Sequence, residues 1–201
     1  PARSPVARAI SPLSPCPQLG LSARITHLYY YSYMDNKASS ASGPRTFRKP
    51  NRIPGYNYSA PGYYFLTICT VGHVPLFGRI VACQDGSQPA RMLLNSVGRT
   101  VEQAILAIPD HYPGTAVDKY VVMPNHIHLI LVISDSLEKA PSVSRVVQQF
   151  KRAVSIHLGK SVWQEGFYDH VIRGDSDYRE IWTYIDNNPV KWARDKYYRE
   201  G

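Results

Sequence analysis

Apolar and polar positions along the chain follow two different patterns, which change over near residue 56. Up to residue 55, prolines and serines break every apolar period, and eight of the sixteen prolines fall there. Such a stretch cannot bury enough surface to offset its ordering entropy, so 1–55 is expected to be a disordered leader. Its one aromatic cluster, "HLYYYSYMDN", suits a short strand or a partner surface. Met34 is the first methionine, and the native start is expected there, with the upstream residues an over-extended reading frame. From Tyr56 the pattern becomes that of a folded domain. "GYYFLTICTVG" (62–72), aromatic and β-branched between glycines, predicts a strand. "ARMLLNSVGRTVEQAILAI" (90–108) sets Leu93, Val97, Val101, Ala104, Ile105 and Ile108 at helical spacing and predicts a helix stopped by Pro109.

"AVDKYVVM" (116–123) and "HIHLILVIS" (126–134) predict two strands joined tightly at Pro124-Asn125. "SVSRVVQQFKRAVSIHLG" (142–159) predicts a second helix, with Val143, Val146, Val147, Phe150, Val154 and Leu158 on one face and Gly159 as its stop. "SVWQEGFYDHVIRG" (161–174) reads as an irregular strand. Asp177 and Glu180 form a capping-box-like start to a last helix that Pro189 ends. The order β-α-β-β-α-β plus a helix predicts an α+β fold of ferredoxin-like (RRM-like) topology. Its antiparallel sheet would carry helices on one face and leave the other for a site. The folded domain is expected over 56–195, with a short tail at 196–201.

Charge changes this picture little. The net charge is +8, but residues 1–61 hold eight basic residues against Asp35 alone, so the remaining 140 carry only +1. Global basicity is therefore weak support for phosphate binding by the folded part. No window approaches the ~18 to 20 unbroken apolar residues of a membrane span. No membrane partner is expected, and the first residues lack the apolar core of a signal peptide. Cys16, Cys69 and Cys83 have no metal-ligand spacing. Cys69, inside an apolar run, is expected to be a buried free thiol. That usage fits a reducing cytoplasm.

Candidate chemistry begins at "PNHIHLILV". On a strand, residues two apart share a face, so His126 and His128 point the same way. Two imidazoles side by side can grip one metal ion; equally, they can be hydrogen-bonded histidines at a sheet end. In the last helix Tyr184 and Asn188 lie one turn apart on one face, flanking a stripe of Tyr178, Ile181 and Ile185. A phenol and an amide beside a histidine pair suggest a reactive group. The plainer reading is a packing tyrosine and a helix C-cap.

"VVMPNHIHLILVI", "SVWQEGFYDHVIR" and "YIDNNPVKW", in that order and spacing, resemble the HUH single-tyrosine transposases, and most closely their REP-associated branch. The resemblance covers about Tyr56 to Trp192. It implies that His126 and His128 are the metal-binding HUH pair, Tyr184 the nucleophile and Asn188 a third metal ligand. It further implies Mg²⁺ or Mn²⁺, and cleavage and rejoining of single-stranded or hairpin DNA through a 5′-phosphotyrosine. Bond energy kept in that linkage makes a nucleotide cofactor unnecessary. The active unit would be a monomer, or a homodimer with Tyr184 donated in trans.

DNA contact would then be local. From 141 to 164 the chain holds Arg145, Lys151, Arg152 and Lys160 and no acid. With Arg173 and Lys191 these are candidate phosphate contacts, although a solvated helix face explains some equally well. Trp163 is a candidate stacking platform or a core residue, and His170 a DNA contact or a structural histidine. A domesticated binder of repetitive DNA that does not cleave it is the alternative function. A zinc hydrolase is disfavoured, because no HExxH or carboxylate set accompanies the histidines.

Overall fold

The computed structural model describes residues 52–83, 89–135 and 140–198. The expected leader up to residue 51, with Cys16, its tyrosine cluster and Met34, lies outside the described residues. In chain order the elements are β1 (Gly62–Cys69), β2 (Gly78–Ala82), β3 (Ala90–Leu94), α1 (Ser96–Leu106), the short α2 (Ile108–His111), β4 (Thr115–Val122), β5 (His126–Ile133), α3 (Val143–His157), β6 (Tyr168–Val171) and α4 (Asp175–Asn187). Four strands form an antiparallel sheet in the order β4-β5-β1-β6, and β2 and β3 form a separate two-stranded ribbon. This is an α+β fold.

Strand alternation sorts the sheet's side chains onto two faces. Tyr64, Leu66 and Ile68 of β1 and Ile127, Leu129, Leu131 and Ile133 of β5 share one face. They pack there against Val101 and Ile105 of α1 and against Val143, Val146, Val147, Phe150 and Val154 of α3. Burying these side chains, each worth about 1.5–3 kcal/mol, makes this the main core. The other face carries Phe65, Thr67 and Cys69 opposite Ile130, His128 and His126 in direct register. That face is not left open. Helix α4 packs against β4 and buries Ile181 and Ile185, so helices occupy both faces. Cys69 is buried and free, and burial pushes its thiol up to about 12.

Several expected elements are placed differently. Residues 90–94 are strand β3, not the start of a helix; α1 begins at Ser96 behind Asn95, whose side chain accepts from Gly98 N. A short apolar run such as "MLL" fits either period, and the unforeseen partner β2 decides it here. Pro109 does not stop α1 but stands in the first turn of α2, where its missing N–H costs nothing. Helix α4 starts at Asp175 after Gly174 (φ 85°), and Asp177 reaches back to Arg173 N rather than capping the helix itself. Near the two ends of the described residues, Arg52 pairs with Asp169 of β6, and Tyr197 is buried. Among the described residues no helix is long and apolar enough to cross a membrane.

Candidate functional site

His126 and His128 are 0% and 1% exposed and point their Nε2 atoms at one another across 3.1 Å. Each ring is held from behind. Nδ1 of His126 is 2.8 Å from Oδ1 of Asn125, and Nδ1 of His128 is 2.8 Å from Oγ1 of Thr67, its cross-strand partner. The Asn125 amide is oriented by its nitrogen, which donates to the His73 and Tyr197 carbonyls. Its oxygen therefore faces His126 and accepts, so His126 carries its proton on Nδ1 and presents a bare Nε2 lone pair. Such a backing group fixes tautomer and orientation in metal-binding histidines. Burial holds His126 well below its ordinary range, aided by His128, His73 and Lys196; burial likewise pushes His128 down to about 3, with Lys196 adding to it. Both rings are neutral at neutral pH, the form in which imidazole is a ligand.

Helix α4 brings the phenol to this pair. Oη of Tyr184 lies 3.3 Å from Nε2 of His128, and its ring meets Phe65 edge-on at 6.0 Å between centroids. One turn further, Asn188 is 2% exposed, and its Oδ1 is buried with no hydrogen-bond partner. Tyr184 before it touches His128 and Trp192 after it neighbours His126, so Asn188 lies in the stretch that spans the pair. An orphaned amide oxygen is costly unless something accepts its charge. The helix that carries it also carries Tyr184 to the two converging imidazoles, and a mixed N/O set of this kind suits a divalent ion. Among the described residues no cluster of three His, Cys, Asp or Glu is formed, so an amide would have to complete any ligand set.

The chain after α4 closes the site. Tyr197 packs on His126 at 4.8 Å and stacks on His73 at 4.9 Å between ring centroids. His73 itself has a positive φ of 55° and is bonded to the Gln164 side chain. Thr67, Asn125, His73 and Tyr197 were not singled out from sequence. Thr67 is legible only through strand register, whereas Asn125, adjoining the histidine pair, offered a usable signal.

No family model matches the chain. An uncharacterized protein of Haemophilus influenzae is 32% identical over 174 residues, covering 75% of this chain and 93% of that protein. The REP-associated tyrosine transposase of Escherichia coli is 32% identical over 105 residues, which is 51% of this chain and 61% of the transposase. A solved REP-associated tyrosine transposase bound to a REP hairpin superposes with a TM-score of 0.50 at 25% identity, over 70% of this chain and 74% of that one. The chain is similar in sequence and in fold to REP-associated tyrosine transposases.

The remaining candidate residues scatter. Arg145, Arg152, Lys160, Arg173 and Lys191 are exposed. The Lys151 ammonium is instead tied to the backbone carbonyls of Gln164, Glu165 and Gly166. Trp163 is buried between Phe77 and Phe150, so it packs in the core and offers no stacking face. His170 pairs with the Asp177 carboxylate at 2.8 Å, linking β6 to the first turn of α4. None of these three belongs to the cluster around His126.

Proposed function

We propose that this chain is a metal-dependent single-stranded DNA endonuclease and strand transferase acting at hairpin or REP-type DNA, as its transposase relatives' names suggest. The observation that carries the reading is the 3.3 Å approach of Tyr184 Oη to His128 Nε2, itself 3.1 Å from His126 Nε2. The strand order β4-β5-β1-β6, with α1 and α3 on one face, supports a ferredoxin-like arrangement with the nucleophile on α4.

His126, His128 and Asn188 would hold a Mg²⁺ or Mn²⁺ ion, because two neutral imidazoles with converging Nε2 atoms and an orphaned amide oxygen are a suitable ligand set. Such an ion, when bound, withdraws charge from a phosphate oxygen as a Lewis acid. Tyr184, fixed on a docked helix, supplies the aligned nucleophile. Its Oη forms a bond to phosphorus, the bond from phosphorus to O3′ breaks, and the phenolic proton ends on the released 3′-oxygen. The 5′-phosphate stays on Tyr184, and a 3′-hydroxyl reverses the step without a nucleotide cofactor. The phenol's ordinary pKa of ~10 makes this help necessary. Because Tyr197 covers His126, residues 192–198 must shift before a phosphate reaches the pair.

A labelled single-stranded hairpin with Mn²⁺ is expected to give an SDS-stable adduct that Tyr184→Phe abolishes while binding persists. Preserved cleavage in His126→Ala would contradict the metal assignment. The second reading, a binder without turnover, draws on the closed histidine pair; binding with no adduct in either metal would favour it.

A further inference from the structure

The β2–β3 ribbon stands apart from the main sheet, and no part of the chemistry above uses it. Its register pairs Arg79 with Leu93 and Val81 with Arg91, so these four side chains share one face. The opposite face presents Met92 and Leu94 to the core. Arg79 and Arg91 are exposed and stand diagonally across the two strands, ~7–8 Å apart at their bases. Arg99 of α1 is also exposed, and its guanidinium donates to the Leu94 carbonyl at 3.0 Å, at the ribbon's base. Among the described residues the ion pairs are Arg52–Asp169, Lys119–Asp186 and His170–Asp177, so no carboxylate answers these arginines. Asp85, between β2 and β3 in the sequence, lies outside the described residues.

The ribbon is fixed to the candidate site. The N–H groups of Leu76 and Phe77 both donate to the Pro124 carbonyl, at 2.8 and 3.0 Å, and Pro124-Asn125 is the turn that leads into His126. Asn95, at the end of β3, grips the same residues: its N–H donates to Phe77 O and its side chain to Leu76 O. Gly98 lets α1 press on this junction, since a Cβ there would stand 2.1 Å from Phe77 O. Ribbon base and histidine strand are thus one block, with no free hinge between them.

We infer that the outer face of the β2–β3 ribbon, through Arg79, Arg91 and Arg99, grips the phosphates of a DNA duplex stem whose single-stranded flank enters the Tyr184 site. This rests on the proposed DNA function and names the surface that recognises the double-stranded part. Guanidinium forks left without carboxylates match phosphate oxygens in pairs, and a two-stranded ribbon fits the ~12 Å major groove of a duplex. A rigid arm beside the site would set the distance from stem to cleavage point.

The test compares two labelled DNAs by fluorescence anisotropy across a salt series: a hairpin with a single-stranded flank, and the flank alone. In Arg79→Gln/Arg91→Gln, hairpin affinity is expected to fall about tenfold and the slope of log affinity against log salt to shrink by about 2, as loss of two phosphate contacts requires. Flank binding and the melting temperature stay as in the unaltered chain, and Arg79→Lys/Arg91→Lys restores most of the slope. An unchanged hairpin slope, or an equal loss on both DNAs, overturns the inference. Failure of the Tyr184 adduct would leave this difference measurable, so the two ideas fail separately.

Discussion

The side-chain oxygen of Asn125 stands 2.8 Å from Nδ1 of His126, while its nitrogen donates to two carbonyls, His73 O at 2.8 Å and Tyr197 O at 2.6 Å. One amide therefore sets the histidine's tautomer and ties the closing segment to the Val71–His73 turn. Asn125→Ala removes three hydrogen bonds, two of them buried, and is expected to cost about 1–3 kcal/mol or more in urea unfolding. Manganese affinity, read by calorimetry, should fall about 10- to 100-fold as the ring loses its orienting partner. Unchanged affinity would mean that His126 does not depend on this bond to present Nε2.

The two buried imidazoles give the metal-free protein an acid weakness. A free histidine titrates near ~6.5, whereas burial holds His126 well below that and His128 at about 3. Between those values the unfolded chain binds protons that the folded chain refuses. Stability present above about pH 6.5 is therefore lost as the pH falls, down to about 3 for His128 and by up to about 1.4 kcal/mol per pH unit, with His126 adding to the fall in the same direction. Urea midpoints taken in a chelator from about pH 7 down to about pH 4 should fall steadily. His128→Gln should flatten that fall; an identical slope would place the proton uptake elsewhere.

Much of this was legible in sequence, for definite reasons. The strand holding His126 and His128 and the apolar face of α3 each repeat one period without conflict, and they fold as read. The shared helical face of Tyr184 and Asn188 needed only one turn of spacing. What failed to show depends on partners far away in the chain. Strand β3 looked helical because its mate β2, five residues long, carries too little pattern by itself. Thr67 became a neighbour of His128 only through the register of β1 on β5. Tyr197 reached the site because the chain turns back after Pro189, which no local periodicity encodes.

Gly98 offers a steric test of the junction between ribbon and site. A Cβ at this buried position would lie 2.1 Å from the Phe77 carbonyl oxygen and 3.0 Å from its carbon, which are backbone atoms with no rotamer to yield. Gly98→Ala gains helix propensity in α1, an advantage of about 1 kcal/mol. Overpacking against a fixed backbone costs about 1–3 kcal/mol, so the net effect should be destabilising. Thermal unfolding of the variant should begin lower than in the parent. A raised melting temperature would show that the junction gives way easily and that the ribbon is not rigidly seated.

Lys151 separates a structural role from a DNA-contacting one. Its Nζ donates to Gln164 O at 2.7 Å, Gly166 O at 2.6 Å and Glu165 O at 3.3 Å. Burial pushes its pKa down to about 8, with Arg52 adding to the fall and Cys69 opposing it, so the ammonium stays charged at neutral pH. Lys151→Met keeps the stem's apolar bulk and removes the donor, leaving three carbonyls without it. A loss of about 1–3 kcal/mol is expected in urea unfolding. Gln164 also donates to Cys69 O and bonds His73, so this loop supports the rim of the site. DNA affinity, if altered, should therefore change without a change in its salt slope, because no phosphate contact is lost. A slope smaller by about 1 would instead assign Lys151 to the phosphates.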